Sequence, residues 1–185
     1  MKLNKLQKKI GISFKDDKLL IQALTHKSFD TKNNYEKLEF LGDRVLGFVI
    51  SKKLLELYPN EKVGMIDKKL ANLVNKNKCF EIGKELELDN YILTGNTEKK
   101  KKVNIEKKII SDCCESLIGA IYIDKGFEVS SKFILNYWKN YLNLSEVTVI
   151  DSKTRLQEYS LKKFKTLPIY KLISNTGPRH KPNFK

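Results

Sequence analysis

Cysteine, arginine and long apolar runs are all scarce in this chain of 185 residues. Its three cysteines, Cys79, Cys113 and Cys114, show neither the paired spacing of zinc ligands nor the even number of a disulfide framework, so we expect reduced thiols. No apolar run approaches the length of a membrane span. The first residues, MKLNKLQKKIGISF, lack the apolar core and the cleavage site of a signal peptide. These absences exclude disulfide-rich secreted proteins and membrane-spanning proteins, and they predict a soluble cytoplasmic protein.

Basic residues outnumber acidic residues by 36 to 22, which gives a formal net charge of +14. Such a surplus favours polyanionic partners, because it attracts phosphate groups over long distances. Lysine, asparagine and isoleucine are all abundant, however, as an AT-rich gene would also produce. The charge alone therefore fits a nucleic-acid partner without requiring one, and it does not distinguish RNA from DNA.

The segment YEKLEFLGD, residues 35–43, places three carboxylates on one face of a predicted helix. Glu36, Glu39 and Asp43 stand at positions i, i+3 and i+7. Taken alone, such acids are usually the solvated side of an amphipathic helix. Here apolar residues surround them on nearly every side, which is typical of a buried helix.

A second segment, SDCCESLIGA at residues 111–120, repeats the arrangement with Asp112 and Glu115 at i and i+3. Burying carboxylates costs free energy unless a positive group compensates them. A hard divalent cation bound through oxygen atoms provides that compensation. The two segments together therefore predict a metal site built from helical carboxylates.

Three stretches of the chain resemble a known family. YEKLEFLGDRVL resembles the ribonuclease III signature, a run of the form E-x-L-E-F-L-G-D-x-V-L. SDCCESLIGAIYIDKGF is similar to that family's second acidic element, and ALTHKSF, residues 23–29, is similar to an element that lies upstream. All three occur in the family's order, so the chain as a whole resembles a bacterial ribonuclease III.

The resemblance implies an endoribonuclease that hydrolyses phosphodiester bonds in double-stranded RNA. Divalent metal ions would activate water and stabilise the departing oxygen, and the products would carry 5′-phosphates and short 3′ overhangs. Mg²⁺ is the expected cofactor because the proposed ligands are carboxylates, and Mn²⁺ is expected to substitute for it. The metal ligands carried over by position are Glu39, Asp43, Asp112 and Glu115. The catalytic residues carried over are Asp43, Glu115 and, in a more peripheral role, Glu36.

Three positions depart from the family pattern, and one of them is Arg44, where a small residue is commoner. Val63 stands where the family usually has Glu, and Leu70 stands where it usually has Arg. The acid that normally lies near the cleavage site is therefore missing from its expected place, and Glu61 would replace it only if the loop differed. The metal acids are intact, so these changes bear on the cleavage rate and the position of the cut.

Helical periodicity runs through the first 147 residues, without strand alternation or an internal repeat. We therefore expect a mainly α protein whose residues 1–147 form an all-helical ribonuclease III endonuclease domain. The stretch TGNTEKKKKVN at 94–104 is predicted to be a lysine-rich loop. The predicted helices cover residues 2–10, 17–27, 35–58, 65–76, 77–87, 105–124 and 128–142.

Composition changes after the linker SEVTVIDSK, and residues 151–185 resemble the N-terminal part of a double-stranded RNA-binding domain. The expected elements are a helix containing KTRLQE, a strand around PIYKLI at 168–173, and a loop with the sequence GPRHKPNF. By this resemblance, Gln157 and Glu158 would approach the RNA minor groove, and His180 would reach in from the loop. The remaining strands and the last helix do not follow, so we expect a truncated, incomplete α+β domain that is partly disordered alone.

The resemblance also implies a homodimer, in which the two signature helices meet and Phe40 packs across the axis, with double-stranded RNA as the partner. Precursor ribosomal RNA and structured messenger RNA are the expected substrates. A non-catalytic double-stranded-RNA-binding or ribosome-associated relative is the alternative from another class, although the intact acids favour an active enzyme. A compact nuclease that acts without the RNA-binding module also stays open.

Overall fold

The structure is a computed structural model that describes residues 2–95, 106–144, 152–171, 175–176 and 183–184. The chain divides into two compact units, Met1–Val147 and Thr148–Lys185. Within the described residues of the first unit, the expected all-helical architecture is confirmed. Most of the predicted lysine-rich loop lies outside the described residues. The helices are α1 (Lys2–Ile10), α2 (Asp17–Ala23), α3 (Glu36–Leu57), α4 (Val63–Leu73), α5 (Lys76–Glu85), α6 (Lys107–Lys125) and α7 (Phe127–Leu144), with a 3₁₀ turn at Leu88–Asn90.

The two acidic segments form α3 and α6, the helices at the centre of this unit. Every residue of α6 from Ile109 to Ile121 is buried, because α2, α3, α5 and α7 all pack around this helix. The prediction of a buried helix is therefore confirmed for α6. It holds for only one side of α3, since Phe40 and Phe48 project into solvent on the other side.

α3 and α6 cross with their backbones in direct contact, and two glycines make this possible. A Cβ atom at Gly42 would overlap the carbonyl oxygen of Glu115 and lie 2.9 Å from the backbone nitrogen of Gly119. A Cβ atom at Gly119 would in turn overlap the carbonyl oxygen of Leu38. Because neither crossing residue carries a side chain, the acids on the first two turns of α3 come close to those on α6.

The boundary between α4 and α5 differs from the prediction by a few residues. α4 ends at Leu73 instead of residue 76, and α5 begins at Lys76. The cause is Asn75, whose side chain accepts hydrogen bonds from the backbone N–H groups of Asn77 and Lys78 and so caps α5. Lys76 therefore occupies the first turn of a helix that packs against α6.

α2 ends at Ala23, earlier than the predicted residue 27. The backbone after this helix pairs with another segment instead of continuing the helix. The N–H of Leu93 donates to the carbonyl of Leu24 at 2.8 Å, and the N–H of His26 donates to the carbonyl of Leu93 at 2.9 Å. These bonds fix the segment that leads into α3.

The second unit contains α8 (Ser152–Phe164) and two short strands, β1 (Asn175–Thr176) and β2 (Asn183–Phe184), which pair antiparallel. The helix predicted around KTRLQE is confirmed. The strand predicted around residues 168–173 is wrong for 168–171, which are not in a strand. A strand needs a hydrogen-bonding neighbour, and in the described part of this unit the only pairing lies further along the chain, between β1 and β2.

The state of the cysteines agrees with the prediction from the composition. Cys79, Cys113 and Cys114 are buried free thiols, as the expectation of reduced cysteines requires. Among the described helices, none is both long and apolar enough to cross a bilayer.

Candidate metal centre

Three carboxylates converge where α3 and α6 cross. Glu39 comes from the first turn of α3, and Asp112 and Glu115 come from successive turns of α6. One oxygen from each carboxylate lies within 4.8 Å of the others. Asp112 and Glu115 are only 3% and 2% exposed. An all-oxygen donor set of this size fits a hard divalent cation.

The ammonium group of Lys76 lies at the centre of the three carboxylates. Its Nζ atom is 2.9 Å from Glu39 Oε1, 2.6 Å from Asp112 Oδ1 and 2.7 Å from Glu115 Oε2. Sequence reasoning missed this residue, because it lies in a polar NKNK run that is far along the chain from both acidic segments. Only the packing of α5 against α6 brings it to the cluster.

Burial and mutual repulsion shift the pKa values of the cluster. Burial raises the pKa of Glu115 to about 6; Lys76 opposes this shift, and the charges of Asp43 and Glu39 add to it. Burial also raises the pKa of Glu39, again against the influence of Lys76. Burial acts to lower the pKa of Lys76, but hydrogen bonds to the three carboxylates outweigh it and raise that pKa above its usual range.

Asp43 lies beside this cluster and not within it. Its carboxylate pairs with Arg44 Nη1 at 3.1 Å, and its side chain is 37% exposed. It lines an open cleft of about 340 Å³ together with members of the cluster. The structure therefore brings Asp43 to the mouth of the site, while the close group consists of the other three predicted ligands. The residues lining the cleft are Glu36, Glu39, Phe40, Asp43, Lys76 and Glu115.

Glu36, the peripheral acid of the predicted set, also faces this cleft. Its Oε1 atom pairs with Lys27 Nζ at 3.2 Å, and both side chains are more than half exposed. Glu36 is thus well placed to contact a ligand that approaches from solvent. It makes no contact with Lys76 among the ion pairs of the described residues.

Of the three positions that depart from the family pattern, Arg44 pairs with Asp43 beside the cluster, and the other two are Val63 and Leu70. Val63 is the first residue of α4 and is largely exposed, whereas Leu70 packs against the core. The carboxylate of Glu61 accepts a hydrogen bond from the backbone N–H of Lys62 at 3.0 Å. Val63, Leu70 and Glu61 are not among the residues lining the cleft.

The predicted RNA-contacting residues belong to the second unit. Gln157 and Glu158 both lie on α8, and Gln157 is half-buried. His180 lies outside the described residues.

Comparison with known proteins decides the family. The family model described as Ribonuclease-III-like matches residues 16–142, which include the whole cluster. The chain is also 64% identical over 187 residues to the Ribonuclease 3 of Pelagibacter ubique, a match that covers 100% of this chain and 84% of that protein. The chain belongs to the ribonuclease III family. It is therefore an endoribonuclease for double-stranded RNA, as the three sequence elements predicted.

Other members of the ribonuclease III family agree with this assignment. The Ribonuclease 3 of Leptospira interrogans is 40% identical over 189 residues, with 98% of this chain and 76% of that protein covered. The nuclease domain of ribonuclease III from Campylobacter jejuni has a similar structure, with a TM-score of 0.72 and 37% identity, covering 75% of this chain and 97% of that one. Membership of the family implies a divalent metal ion, and Glu39, Asp112 and Glu115 are positioned to hold one.

Metal binding by this cluster is expected to weaken as the pH falls below about 6, the raised pKa of Glu115. A raised pKa means that the carboxyl group keeps its proton at a higher pH, and it must lose that proton before it can bind a cation. Below the pKa the apparent affinity should fall about tenfold per pH unit, and above pH ~7 it should level off. Calorimetric titration with Mn²⁺ from pH 5 to pH 8 measures this profile. An affinity that is unchanged between pH 5 and pH 7 would contradict the prediction.

Proposed function

We propose that Glu39, Asp112 and Glu115 bind Mg²⁺ directly and that Asp43 completes the metal site from the mouth of the cleft. With this ion the chain hydrolyses phosphodiester bonds of double-stranded RNA. The observation that carries the proposal is the convergence of three carboxylates, two of them almost fully buried, at an open cleft. The single ammonium group of Lys76 neutralises only one of the three negative charges of the ionised group, and the open side leaves room for a phosphate.

The proposed roles of the acidic side chains differ with their exposure to solvent. When bound, Mg²⁺ supplies the positive charge that activates the attacking water and stabilises the departing oxygen. Asp112 and Glu115 hold their carboxylates in fixed positions because α6 is buried around them. Asp43 faces solvent at the mouth and is held by Arg44, so it is placed to accept the proton of the attacking water. Glu36 orients the substrate or outer water molecules from the rim.

The donor chemistry favours Mg²⁺ over softer metals. All the proposed ligands are carboxylates, and the described residues around them supply no cysteine or histidine to the group. Water molecules and phosphate oxygens would supply the remaining oxygen ligands. Mn²⁺ should substitute because it accepts the same ligands, whereas zinc prefers nitrogen and sulfur.

The chain's charge and its second unit support binding to an RNA duplex. A net charge of +14 attracts the phosphate backbone. We place Gln157, Glu158 and His180 of residues 151–185 at the RNA minor groove, with residues 1–147 as the nuclease domain. The products carry 5′-phosphates and short 3′ overhangs, and precursor ribosomal RNA and structured messenger RNA in the cytoplasm are the proposed substrates.

A homodimer through α3 belongs to the same proposal. Phe40 is 66% exposed and Phe48 is 61% exposed, and a third apolar residue, Leu55, continues the row along one side of α3. Exposed apolar rows of this kind mark surfaces that pack against another molecule. The similar nuclease domain from Campylobacter jejuni shows structural flexibility in a region involved in dimer formation. Two copies meeting here would offer two carboxylate clusters to the two strands of one duplex.

Cleavage of an end-labelled RNA duplex tests the proposed function. We expect cuts in the duplex with Mg²⁺ or Mn²⁺, and none after chelation with EDTA. Single-stranded RNA and a DNA duplex of the same sequence serve as controls and should stay intact. Binding of the duplex without cleavage, even with Mn²⁺, would contradict the proposal and favour a non-catalytic RNA-binding relative.

A further inference from the structure

We propose that Lys76 is a built-in counter-ion of the carboxylate cluster, which the divalent cation must displace in order to bind. The residue thereby sets the metal affinity of the enzyme. This inference rests on the proposed function, because it assumes that the cluster is a metal site. It concerns a residue outside both acidic segments.

The position of the ammonium group is the first argument. One Nζ atom contacts an oxygen of all three carboxylates, at 2.6, 2.7 and 2.9 Å. These oxygens lie within 4.8 Å of one another, so a cation bound to all three would have to occupy the same small volume as Nζ. The lysine and the metal ion therefore exclude each other.

Helix stability does not call for a lysine at this position. Lys76 is the first residue of α5, where the helix dipole disfavours a positive charge. The cap of α5 comes from the Asn75 side chain, which bonds to the N–H groups of Asn77 and Lys78. The helix would thus begin at the same residue without the lysine charge. The contacts with the carboxylates therefore explain the positive charge at this position.

Exposure allows the lysine to leave without disturbing the fold. Its side chain is 52% exposed although its ammonium group reaches Glu115, which is almost fully buried. A rotation about the side-chain bonds moves Nζ into solvent while α5 stays in place. Asp112 and Glu115 have no such freedom, because every neighbouring residue of α6 is buried.

The charges decide which cation is favoured once metal is present. Three carboxylates carry three negative charges when ionised, and one ammonium group neutralises only one of them. A divalent cation neutralises two and binds oxygen at shorter range. At low metal concentration the lysine prevents repulsion within the cluster, and at higher concentration the metal replaces it.

Binding of Mn²⁺ to the metal-free protein tests this role without any measurement of catalysis. The variants are Lys76→Met and Lys76→Gln, which both remove the charge. Lys76→Gln keeps a hydrogen-bond donor and serves as the second variant if Lys76→Met does not fold. Lys84→Met is the matched control, because Lys84 lies on the same helix, pairs with Asp89 at 2.8 Å and is 48% exposed. Free Mn²⁺ is counted by its electron paramagnetic resonance signal, and thermal unfolding is recorded with and without Mn²⁺.

We expect both Lys76 variants to bind Mn²⁺ at least about tenfold more tightly than the wild type, since the wild-type site is open to metal only in the fraction of molecules whose lysine has left. Without Mn²⁺ their melting temperature should be lower than that of the wild type, because the carboxylates then repel one another. Saturating Mn²⁺ should remove this difference. Lys84→Met should bind Mn²⁺ as the wild type does.

Equal or weaker Mn²⁺ binding by the Lys76 variants would overturn the inference and leave the metal site itself standing. An equal increase in the Mn²⁺ affinity of Lys84→Met would also overturn it, since the effect would then come from the change in net charge. A wild type and variants that all fail to bind Mn²⁺ would instead defeat the proposed function, and the role of Lys76 with it.

Discussion

Gly42→Ala is expected to lower the free energy of unfolding by about 3 kcal/mol or more, because it forces the two central helices apart. The added Cβ atom would overlap the backbone carbonyl oxygen of Glu115 and press on the backbone nitrogen of Gly119. A flexible side chain could move aside, but these atoms belong to the buried part of α6. Cleavage should be lost as well, since Glu39 and Glu115 would no longer reach the same cation.

Gly47→Ala is the matched control for this substitution. Gly47 lies on α3, and a Cβ atom there meets nothing within 4 Å. Alanine favours a helix over glycine by up to about 1 kcal/mol, so this variant should be slightly more stable than the wild type. Urea denaturation followed by circular dichroism measures both changes. If both variants unfolded at the same urea concentration, the close approach of α3 and α6 at Gly42 would not limit the stability of the protein, and the prediction would be wrong.

Glu115→Gln is expected to reduce kcat/KM for duplex cleavage by at least about a thousandfold, which corresponds to about 4 kcal/mol. The amide keeps the size of the side chain but removes the negative charge that holds the cation. Because α6 is buried around this position, no nearby side chain can take its place. Binding of the RNA duplex should persist, since it depends on the basic surface and not on one carboxylate.

A carboxylate elsewhere on the same pair of helices provides the comparison. Glu56 is on α3, is exposed and pairs with the half-buried Lys53 at 3.1 Å, so Glu56→Gln should cleave at the wild-type rate. Single-turnover cleavage with labelled duplex and a filter-binding assay separate catalysis from affinity. Cleavage by Glu115→Gln within tenfold of the wild-type rate would remove this residue from the proposed mechanism.

The sequence predicted the parts of the site that follow from local pattern. Helical spacing put Glu39 and Asp112 on the acidic faces of their helices, their apolar neighbours indicated burial, and the family resemblance then made them metal ligands. The resemblance also placed Asp43 among the metal ligands, and the structure adds that its carboxylate pairs with Arg44 at the mouth of the cleft. Which rotamer a half-exposed side chain adopts depends on its neighbours in space, and sequence spacing does not contain that information.

The role of Lys76 and the exact ends of several helices could be identified only from the three-dimensional structure. No regular sequence spacing relates Lys76 to Asp112. The packing of α5 on α6 is what brings the two side chains together. The end of α4 was predicted at residue 76 instead of Leu73, because the cap at Asn75 starts a new helix and competes with the continuation of α4. The strand predicted around residues 168–173 was wrong for 168–171, because β-propensity alone does not supply a partner for hydrogen bonding.

The burial of α6 on all sides also decides how the cluster can come apart. Local opening of a folded protein begins at helix ends and exposed turns, whereas a central buried helix opens only with the whole domain. Asp112 and Glu115 thus share the lifetime of the native state. Glu39 and Lys76 stand in the first turns of α3 and α5, which fray more readily. Asp112 and Glu115 therefore keep their positions while Glu39 and Lys76 can move. We expect the bound cation to enter and leave the cluster from the side of α3 and α5.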